Sequence, residues 1–257
     1  MRPPSDADDP SGTEAQPRMV RVPIRLPDRQ PIFDHGPAGH PLDLLRVVGA
    51  RGRHVAPVGG PALGADANQR VSPGDGWGND ESQLYTDSPD NIRVENGSLV
   101  ITARCDLAVS GVCGVRDGSI TSARITSKDK IEFRYGKVEA RIKVPEGEST
   151  WPAFWMLGAG FPDTPWPAAG EIDVMEVFQG TSDINTSHAT VHWEEGGERE
   201  FFTASRSLGE PLSNDFHIWT VEWDERRITA KIDGITYFTN VIDPETQREF
   251  LKSFFLL

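Results

Sequence analysis

The sequence predicts an all-β fold, a sandwich or jelly roll of antiparallel strands, and three observations favour it. Polar and apolar residues alternate in Lys137 to Val144 (KVEARIKV), as in a strand with one face in a core. Asn96-Gly97 and Asp233-Gly234 fall between strand-like runs, where tight hairpins need a positive φ. No segment shows helical periodicity over three turns.

Further strands are predicted where β-branched and aromatic residues cluster between turn residues. They are Ser98–Ala103, Ser119–Ile125, Phe154–Leu157, Glu171–Phe178, His188–Trp193, His217–Trp223 and Arg227–Thr239. Many short strands separated by turns are typical of two packed sheets.

Length, charge and hydropathy narrow the function classes. A chain of 257 residues suits one large all-β domain. Its formal net charge of −13 makes nucleic acid an unfavourable partner, because binding a phosphate backbone needs a positive surface. The sequence has no run of about 18 apolar residues, so no membrane partner is expected. Met1 to Pro10 lacks the apolar stretch of a secretory signal, so export is not encoded in the sequence as written.

Residues 1–70 differ in composition from the rest of the chain. They contain 11 of the 20 prolines and nine arginines, but no Lys, Trp or Tyr. Because such a stretch buries little apolar surface, we expect a disordered or irregular segment, followed by one folded domain over residues 71–257. A mis-assigned start of the coding sequence is the alternative. The apolar cluster Leu42 to Ala50 (LDLLRVVGA) is predicted to form a short helix or strand.

The candidate site is a predicted strand with three acids. In Gly170 to Phe178 (GEIDVMEVF), Glu171 and Asp173 share one face by alternation, whereas strict alternation sends Glu176 to the other face. One extra residue, a β-bulge near Val174–Met175, would return Glu176 to the first face. The two Glu carboxyls would then approach to about 5–5.5 Å, the separation found in retaining glycosidases. A solvent-facing acidic strand and a calcium site made by the three carboxylates are the alternatives.

Four motifs in order resemble glycoside hydrolase family 16. They are GWGNDESQLYT (76–86), SARITSK (122–128), WPAFWML (151–157) and GEIDVME (170–176). The E-x-D-x-x-E form resembles the laminarinase-like branch of the family, whereas the lichenase branch has E-x-D-x-E. The likeness runs from about residue 74 to the C-terminus. It implies a concanavalin A-like jelly roll of two curved antiparallel sheets, with a sugar-binding cleft on the concave face.

The resemblance implies roles for individual residues. Glu171 would be the nucleophile and Glu176 the general acid/base, with Asp173 between them and hydrogen-bonded to Glu171. Like-charge repulsion would raise the pKa of Glu176 and keep it protonated. Six further residues match positions that line the cleft in relatives, and their types suit a sugar ligand: Asn79, Arg124, Trp151, Trp155, Trp166 and His192. Taken singly, each has a structural alternative, since a strand Trp is more often part of the core.

The activity implied by the resemblance is that of a retaining, endo-acting β-glucanase that cuts β-1,3 linkages in polysaccharide catabolism. We expect a monomeric, extracellular enzyme whose partner is the polysaccharide and which requires no cofactor. A structural calcium ion, present in some relatives, cannot be mapped onto this sequence. A non-catalytic β-glucan-binding module and an inactive truncated product on the same fold are the alternatives. Mixed-linkage glucan, agar and carrageenan stay open as substrates.

Both ends of the chain depart from the family pattern. The Asp-Glu-Phe strand with which relatives begin is missing, and Phe250 to Leu257 (FLKSFFLL) resembles only the start of their last long strand. We therefore expect a jelly roll incomplete at both ends, with apolar residues from Phe254 to Leu257 left uncovered. Leu42 to Ala50 is the candidate for a replacement strand. Cys105 and Cys113 are the only cysteines, and either a disulfide or two free thiols fits them.

Overall fold

The computed structural model describes residues 18–23, 46–48, 54–55, 64–65, 81–96, 98–106, 119–147, 150–178 and 184–257. Its strands are β1 (Arg18–Pro23), β2 (Arg46–Val48), β3 (His54–Val55), β4 (Gly64–Ala65), β5 (Leu84–Tyr85), β6 (Ile92–Glu95), β7 (Ser98–Cys105), β8 (Ile120–Ser122), β9 (Ile125–Thr126), β10 (Gly136–Ile142), β11 (Ala153–Gly158), β12 (Glu171–Glu176), β13 (Thr186–Glu195), β14 (Glu198–Ser207), β15 (His217–Trp223), β16 (Arg227–Ile232), β17 (Ile235–Val241) and β18 (Phe254–Leu256). A short 3-10 helix, Arg248–Leu251, precedes β18.

Two antiparallel sheets dominate the fold, as the sequence predicts. The front sheet has the strand order β14-β13-β12-β11-β18, and the back sheet has the order β17-β16-β15-β10-β2-β3. Smaller sheets join β7 to β1, β6 and β8, with β5 parallel to β8, and pair β4 with β9. The candidate acids lie on β12, the central strand of the front sheet.

The core is formed where the inner faces of the two main sheets meet. In β10, Val138, Ala140 and Ile142 are buried, while the residues between them are partly exposed, which confirms the predicted alternation. The largest side chains with almost no exposure come from both sheets and from the 3-10 helix; they include Trp219, Phe250, Phe254, Met156, Ile172 and Met175. Each such burial stabilises the fold by about 1.5–3 kcal/mol.

The hairpin prediction at Asp233-Gly234 is confirmed. Asp233 has φ 50° and Gly234 has φ 79°, and they connect β16 to β17, so the predicted run Arg227–Thr239 is two strands. Strand β14 is not among the strands predicted from the sequence. That strand is exposed along most of its length, so it lacks the apolar alternation by which strands are recognised.

The C-terminal residues are more buried than the sequence predicts. Phe254, Phe255 and Leu256 are at most 2% exposed, so the expectation that they lack cover is wrong. As β18 they pair with Met156 to Gly158 of β11, and the Leu256 N–H donates to Ser127 Oγ at 2.8 Å. The pairing and the side-chain bond together place this segment at the edge of the front sheet.

The N-terminal cluster Leu42 to Ala50 contributes a strand to the back sheet. Within it, Arg46–Val48 form β2 and pair with Lys137 to Glu139 of β10. The boundary near residue 70 stays a prediction. Cys105 is disulfide-bonded, and Cys113, the only other cysteine in the sequence, lies outside the described residues. In the described part of the chain, no helix has the length and apolar character needed to cross a membrane.

Candidate active site

The predicted β-bulge is present in β12. On the β11 side, Phe154 lies opposite Met175 but the next residue, Trp155, lies opposite Asp173, so Val174 is unpaired. On the β13 side, the register also shifts between Asp173 and Glu176. Because the extra residue reverses the alternation, Glu176 returns to the face that carries Glu171 and Asp173.

The three acids differ in burial and in hydrogen bonding. Asp173 is 4% exposed and shares a hydrogen bond with Glu171, whose side chain is 18% exposed. Glu176 accepts hydrogen bonds from Trp151 Nε1 at 3.0 Å and from Thr190 Oγ1 at 3.5 Å. The indole N–H of Trp166 donates to Glu171. Both Glu carboxyls are therefore oriented by a tryptophan, and Asp173 lies between them in sequence.

Burial raises the pKa of all three acids. Desolvation, with repulsion from Glu176, raises the pKa of Glu171 to about 7, against the lowering effect of its hydrogen bonds to Asp173 and Trp166. The pKa of Asp173 is raised well above its usual range by complete burial and by both neighbouring Glu carboxyls. Burial also raises the pKa of Glu176, while the bonds from Trp151 and Thr190 lower it. The hydrogen bond between Asp173 and Glu171 raises the pKa of Asp173 and lowers that of Glu171, so Asp173 is the protonated partner of this pair.

His192 lies beside Glu171 on the neighbouring strand. Its Nε2 is 3.9 Å from Glu171 Oε1 and 3.5 Å from Asp173 Oδ2. Burial, with the charge of Arg199, lowers the pKa of His192 to about 4, so the imidazole is neutral at neutral pH. Asp173 Oδ2 and His192 Nδ1 are buried without a hydrogen-bond partner in the described structure. Both atoms are enclosed by the protein, so they are unsatisfied polar atoms beside Glu171.

Exposed indole rings flank the row of acids. Trp166, which is 41% exposed, lies with its ring 5.8 Å from the His192 ring, near the Glu171 end. Trp151, which is 46% exposed, bonds Glu176 at the other end and packs 5.3 Å from Phe178. Flat apolar surfaces beside polar groups suit the faces and hydroxyls of sugar rings.

A cation extends the site on the β11 side. The guanidinium of Arg124 lies 4.9 Å from the Trp155 ring centroid and 5.1 Å from that of Tyr85. Trp155 is paired with Asp173 in the sheet. The Arg124 charge also lowers the pKa of Glu171, so this cation lies close enough to favour the ionised carboxyl.

The structure brings together eight of the nine predicted site residues: Glu171, Asp173, Glu176, Arg124, Trp151, Trp155, Trp166 and His192. The ninth, Asn79, lies outside the described residues. Their individual roles stay predictions. Thr190, which bonds Glu176, is not among the predicted site residues, although alternation from His192 along β13 indicates it. Arg199, whose guanidinium lies 5.2 Å from the Trp166 ring centroid, is also not among them, because β14 was not predicted.

Among the described residues, one group of side chains could hold a metal ion. Ligand atoms of Glu171, Asp173 and His192 lie within 4.8 Å of one another. This set differs from the three carboxylates weighed for calcium, because His192 takes the place of Glu176. Calcium prefers oxygen ligands, so the mixed set suits a transition metal better than calcium.

Two glycines allow the turn before Glu171 to pack closely. The Gly158 N–H donates to the Gly170 carbonyl at 2.9 Å, and a Cβ on Gly158 would lie 1.8 Å from the Ala169 carbonyl oxygen. Gly170 has φ +82°, and a Cβ there would lie 2.6 Å from the Glu249 Cβ. The position of Glu171 therefore depends on two residues without side chains.

Comparisons with known proteins agree with this geometry. Residues 79–250 match the profile of glycosyl hydrolases family 16. Glucan endo-1,3-beta-glucosidase A1 of Niallia circulans is 36% identical over 170 residues, which are 63% of this chain and 24% of that protein. A Beta-1,3-glucan-binding protein of Penaeus monodon is 35% identical over 137 residues, 49% of this chain and 36% of that protein. The chain thus spans 24% and 36% of the lengths of these two relatives.

A solved structure is similar over most of the chain. The laminarinase catalytic domain from Thermotoga maritima superposes with a TM-score of 0.64 at 36% identity, covering 77% of this chain and 79% of that one. LamAcat from Zobellia galactanivorans gives a TM-score of 0.65 at 28% identity, with 77% and 79% covered. With its jelly-roll architecture and the profile match over two thirds of its length, the chain belongs to glycosyl hydrolases family 16.

Proposed function

We propose that this chain is an endo-acting, retaining β-1,3-glucanase. The observation that carries the proposal is the bulge in β12, which places Glu171 and Glu176 on one face, each hydrogen-bonded to an exposed tryptophan. A retaining glycosidase needs two carboxyls that flank the scissile bond, about 5–5.5 Å apart. The name of the Niallia circulans relative, a glucan endo-1,3-β-glucosidase, supports the choice of linkage.

In the first step, Glu171 attacks the anomeric carbon as Glu176 protonates the departing oxygen. A glycosyl-enzyme ester forms at Glu171, and the reducing-end part of the glucan leaves. In the second step, Glu176 removes a proton from water, which attacks the same carbon and releases Glu171. Burial, which raises the pKa of Glu176, favours the proton that the first step needs.

Asp173 supports the ionised form of Glu171 in this mechanism. Because the pKa of Asp173 is raised well above its usual range, it stays protonated and donates its hydrogen bond to Glu171. That bond lowers the pKa of Glu171 and opposes the effect of burial. Neutral His192, beside both carboxyls, adds no charge that would compete with this arrangement.

The substrate class and cellular setting belong to the same proposal. The polysaccharide partner is a β-glucan, the enzyme works outside the cell as a monomer, and the reaction requires no cofactor. The second candidate function is a β-glucan-binding module that does not cut. The similarity to a Beta-1,3-glucan-binding protein of Penaeus monodon favours this alternative, and the three desolvated acids argue against it.

The test is sugar release from laminarin, lichenan and agarose by the purified chain, followed by proton NMR of the first product. We expect laminarin to be cut fastest and the new reducing end to appear first as the β-anomer. An α-anomer as first product would reject the retaining geometry. Binding of laminarin without any release of reducing sugar would support the binding module instead.

A further inference from the structure

The β-bulge in β12 leaves one residue, Val174, outside the pairing register of the sheet. Val174 is completely buried and has no partner in the register with either neighbouring strand. A buried carbonyl without a hydrogen bond would destabilise the bulged conformation relative to a regular strand. The hydroxyl of Tyr237 donates to the Val174 oxygen at 2.7 Å.

This hydrogen bond comes from the opposite sheet. Tyr237 lies on β17 of the back sheet, and its side chain reaches β12 of the front sheet. Ser187 Oγ of β13 lies 3.3 Å from the same hydroxyl, and Trp219 Nε1 of β15 donates to Ser187 Oγ at 3.0 Å. Ser187 and Trp219 are both completely buried. A chain of polar groups therefore crosses the sandwich interior and ends at the bulge.

We infer that Tyr237 is a positioning residue for the acid/base Glu176, because its hydroxyl fixes the bulge that turns Glu176 towards Glu171. This inference rests on the proposed function. Val174 is two residues before Glu176, so a shift of its carbonyl changes the direction of the strand just before the acid. An error of about 1 Å in such a group can cost about 100-fold in rate. Burial raises the pKa of Tyr237, so its hydroxyl keeps the proton that it donates.

The test compares Y237F with the wild type on two substrates. Laminarin has a poor leaving group and needs protonation by Glu176, whereas 2,4-dinitrophenyl β-laminaribioside has a leaving group that departs without a proton. We expect kcat/KM of Y237F to fall about tenfold on laminarin and less than threefold on the aryl substrate. Y135F, which removes a Tyr hydroxyl elsewhere on the edge of the core, should match the wild type on both. Equal losses on the two substrates, or no loss in folded Y237F, would overturn the inference.

Two further measurements keep the inference testable if Y237F folds poorly or if the natural substrate is another glycan. S187A keeps the Tyr237–Val174 bond but removes its neighbour, and we expect a selective loss of about threefold on laminarin. Equal rates for S187A and wild type on laminarin count against the network. A crystal structure of Y237F requires no activity: we expect the Val174 carbonyl and the Glu176 carboxyl to be displaced. An unchanged bulge in that crystal structure would refute the role of Tyr237.

Discussion

The outer faces of the front and back sheets both carry acidic side chains, but the surroundings of these acids differ. On the back sheet, Lys231 bonds Glu222 at 2.8 Å and Lys137 bonds Glu139 at 2.6 Å, and these side chains stay partly in solvent. On the front sheet, Asp173 is buried and the Glu171 side chain is 18% exposed, and no Lys or Arg of the described residues lies within ion-pair distance of either. Glu139 and Glu222 of the back sheet are therefore partly solvated and paired with lysine, while Glu171 and Asp173 on β12 are desolvated and crowded. Because desolvated and crowded carboxyls destabilise the folded state, their presence on β12 indicates a functional site on the front sheet.

Removing an acid from each face is the strongest way to test this difference. We expect E171Q and E176Q each to lower kcat on laminarin by at least about 1000-fold, because both carboxyls act in one transition state. The matched control is E222Q on the back sheet, which should stay within about twofold of the wild type because its pair is partly exposed. Initial-rate measurements and circular dichroism of the three variants check this. A comparable loss of kcat for E222Q would contradict the catalytic roles of Glu171 and Glu176.

A smaller effect is expected from the tryptophan that bonds Glu176. W151F removes the N–H donor at 3.0 Å, so the ionised form of Glu176 loses support and its pKa rises. The basic limb of the kcat/KM profile should therefore move to higher pH, with a loss of about tenfold at the optimum, as expected for one hydrogen bond to a charged group. W193F is the control, since Trp193 Nε1 reaches only Glu195, at 3.5 Å. A basic limb that stays in place, or moves to lower pH, contradicts the assigned role of Trp151.

The front sheet should also make stability depend on pH. Folding raises the pKa of Glu171 from 4.5 to about 7, so the folded state disfavours its ionised form. The resulting loss of stability is absent below about pH 4.5, grows as pH rises and is complete above about pH 7. Urea unfolding at pH 5 and pH 8 measures the free energy of unfolding. Relative to the wild type, this free energy should be higher for E171Q by about 1 to 3 kcal/mol at pH 8. The control is E139Q on the back sheet, whose free energy of unfolding should not rise above that of the wild type. A rise equal to that of E171Q would contradict the proposed difference between the two sheets.

The smallest effect is expected from metal removal. The proposed mechanism uses Glu171 as nucleophile and Glu176 as general acid/base and needs no metal ion. Dialysis against EDTA should therefore leave the rate of laminarin hydrolysis within about twofold of the untreated rate. Loss of activity that is restored by Zn²⁺ but not by Ca²⁺ would instead assign Glu171, Asp173 and His192 to a metal site. The measurement is a rate before dialysis, after it, and after each ion is added back.

The sequence was sufficient to predict the fold class and the bulge. Alternation in β10 predicted a half-buried strand, and the spacing of Glu176 from Asp173 required one extra residue, as the register of β12 confirms. Both inferences depend only on the period of two along a strand, which neighbouring strands do not change. The candidate acids could be chosen for the same reason.

Side-chain contacts between different strands could not be predicted from the sequence. Arg199 lies over the Trp166 ring because β14 pairs with β13 in the front sheet. The bond from Tyr237 to Val174 joins residues 63 positions apart on different sheets. Such contacts are fixed by register and by sheet packing, and one sequence does not specify either.

The contact between Gly158 and Ala169 makes a residue with no chemical function as hard to replace as an acid of the site. Any side chain at position 158 would displace the Ala169 carbonyl, and through Gly170 the displacement would reach Glu171. Engineering the cleft to accept a different sugar should therefore spare this position, although it offers nothing to a ligand. In a library of single substitutions, position 158 would be as intolerant as positions 171 and 176. Intolerance at a site of this kind reports the space available to the backbone as well as the chemistry of the cleft.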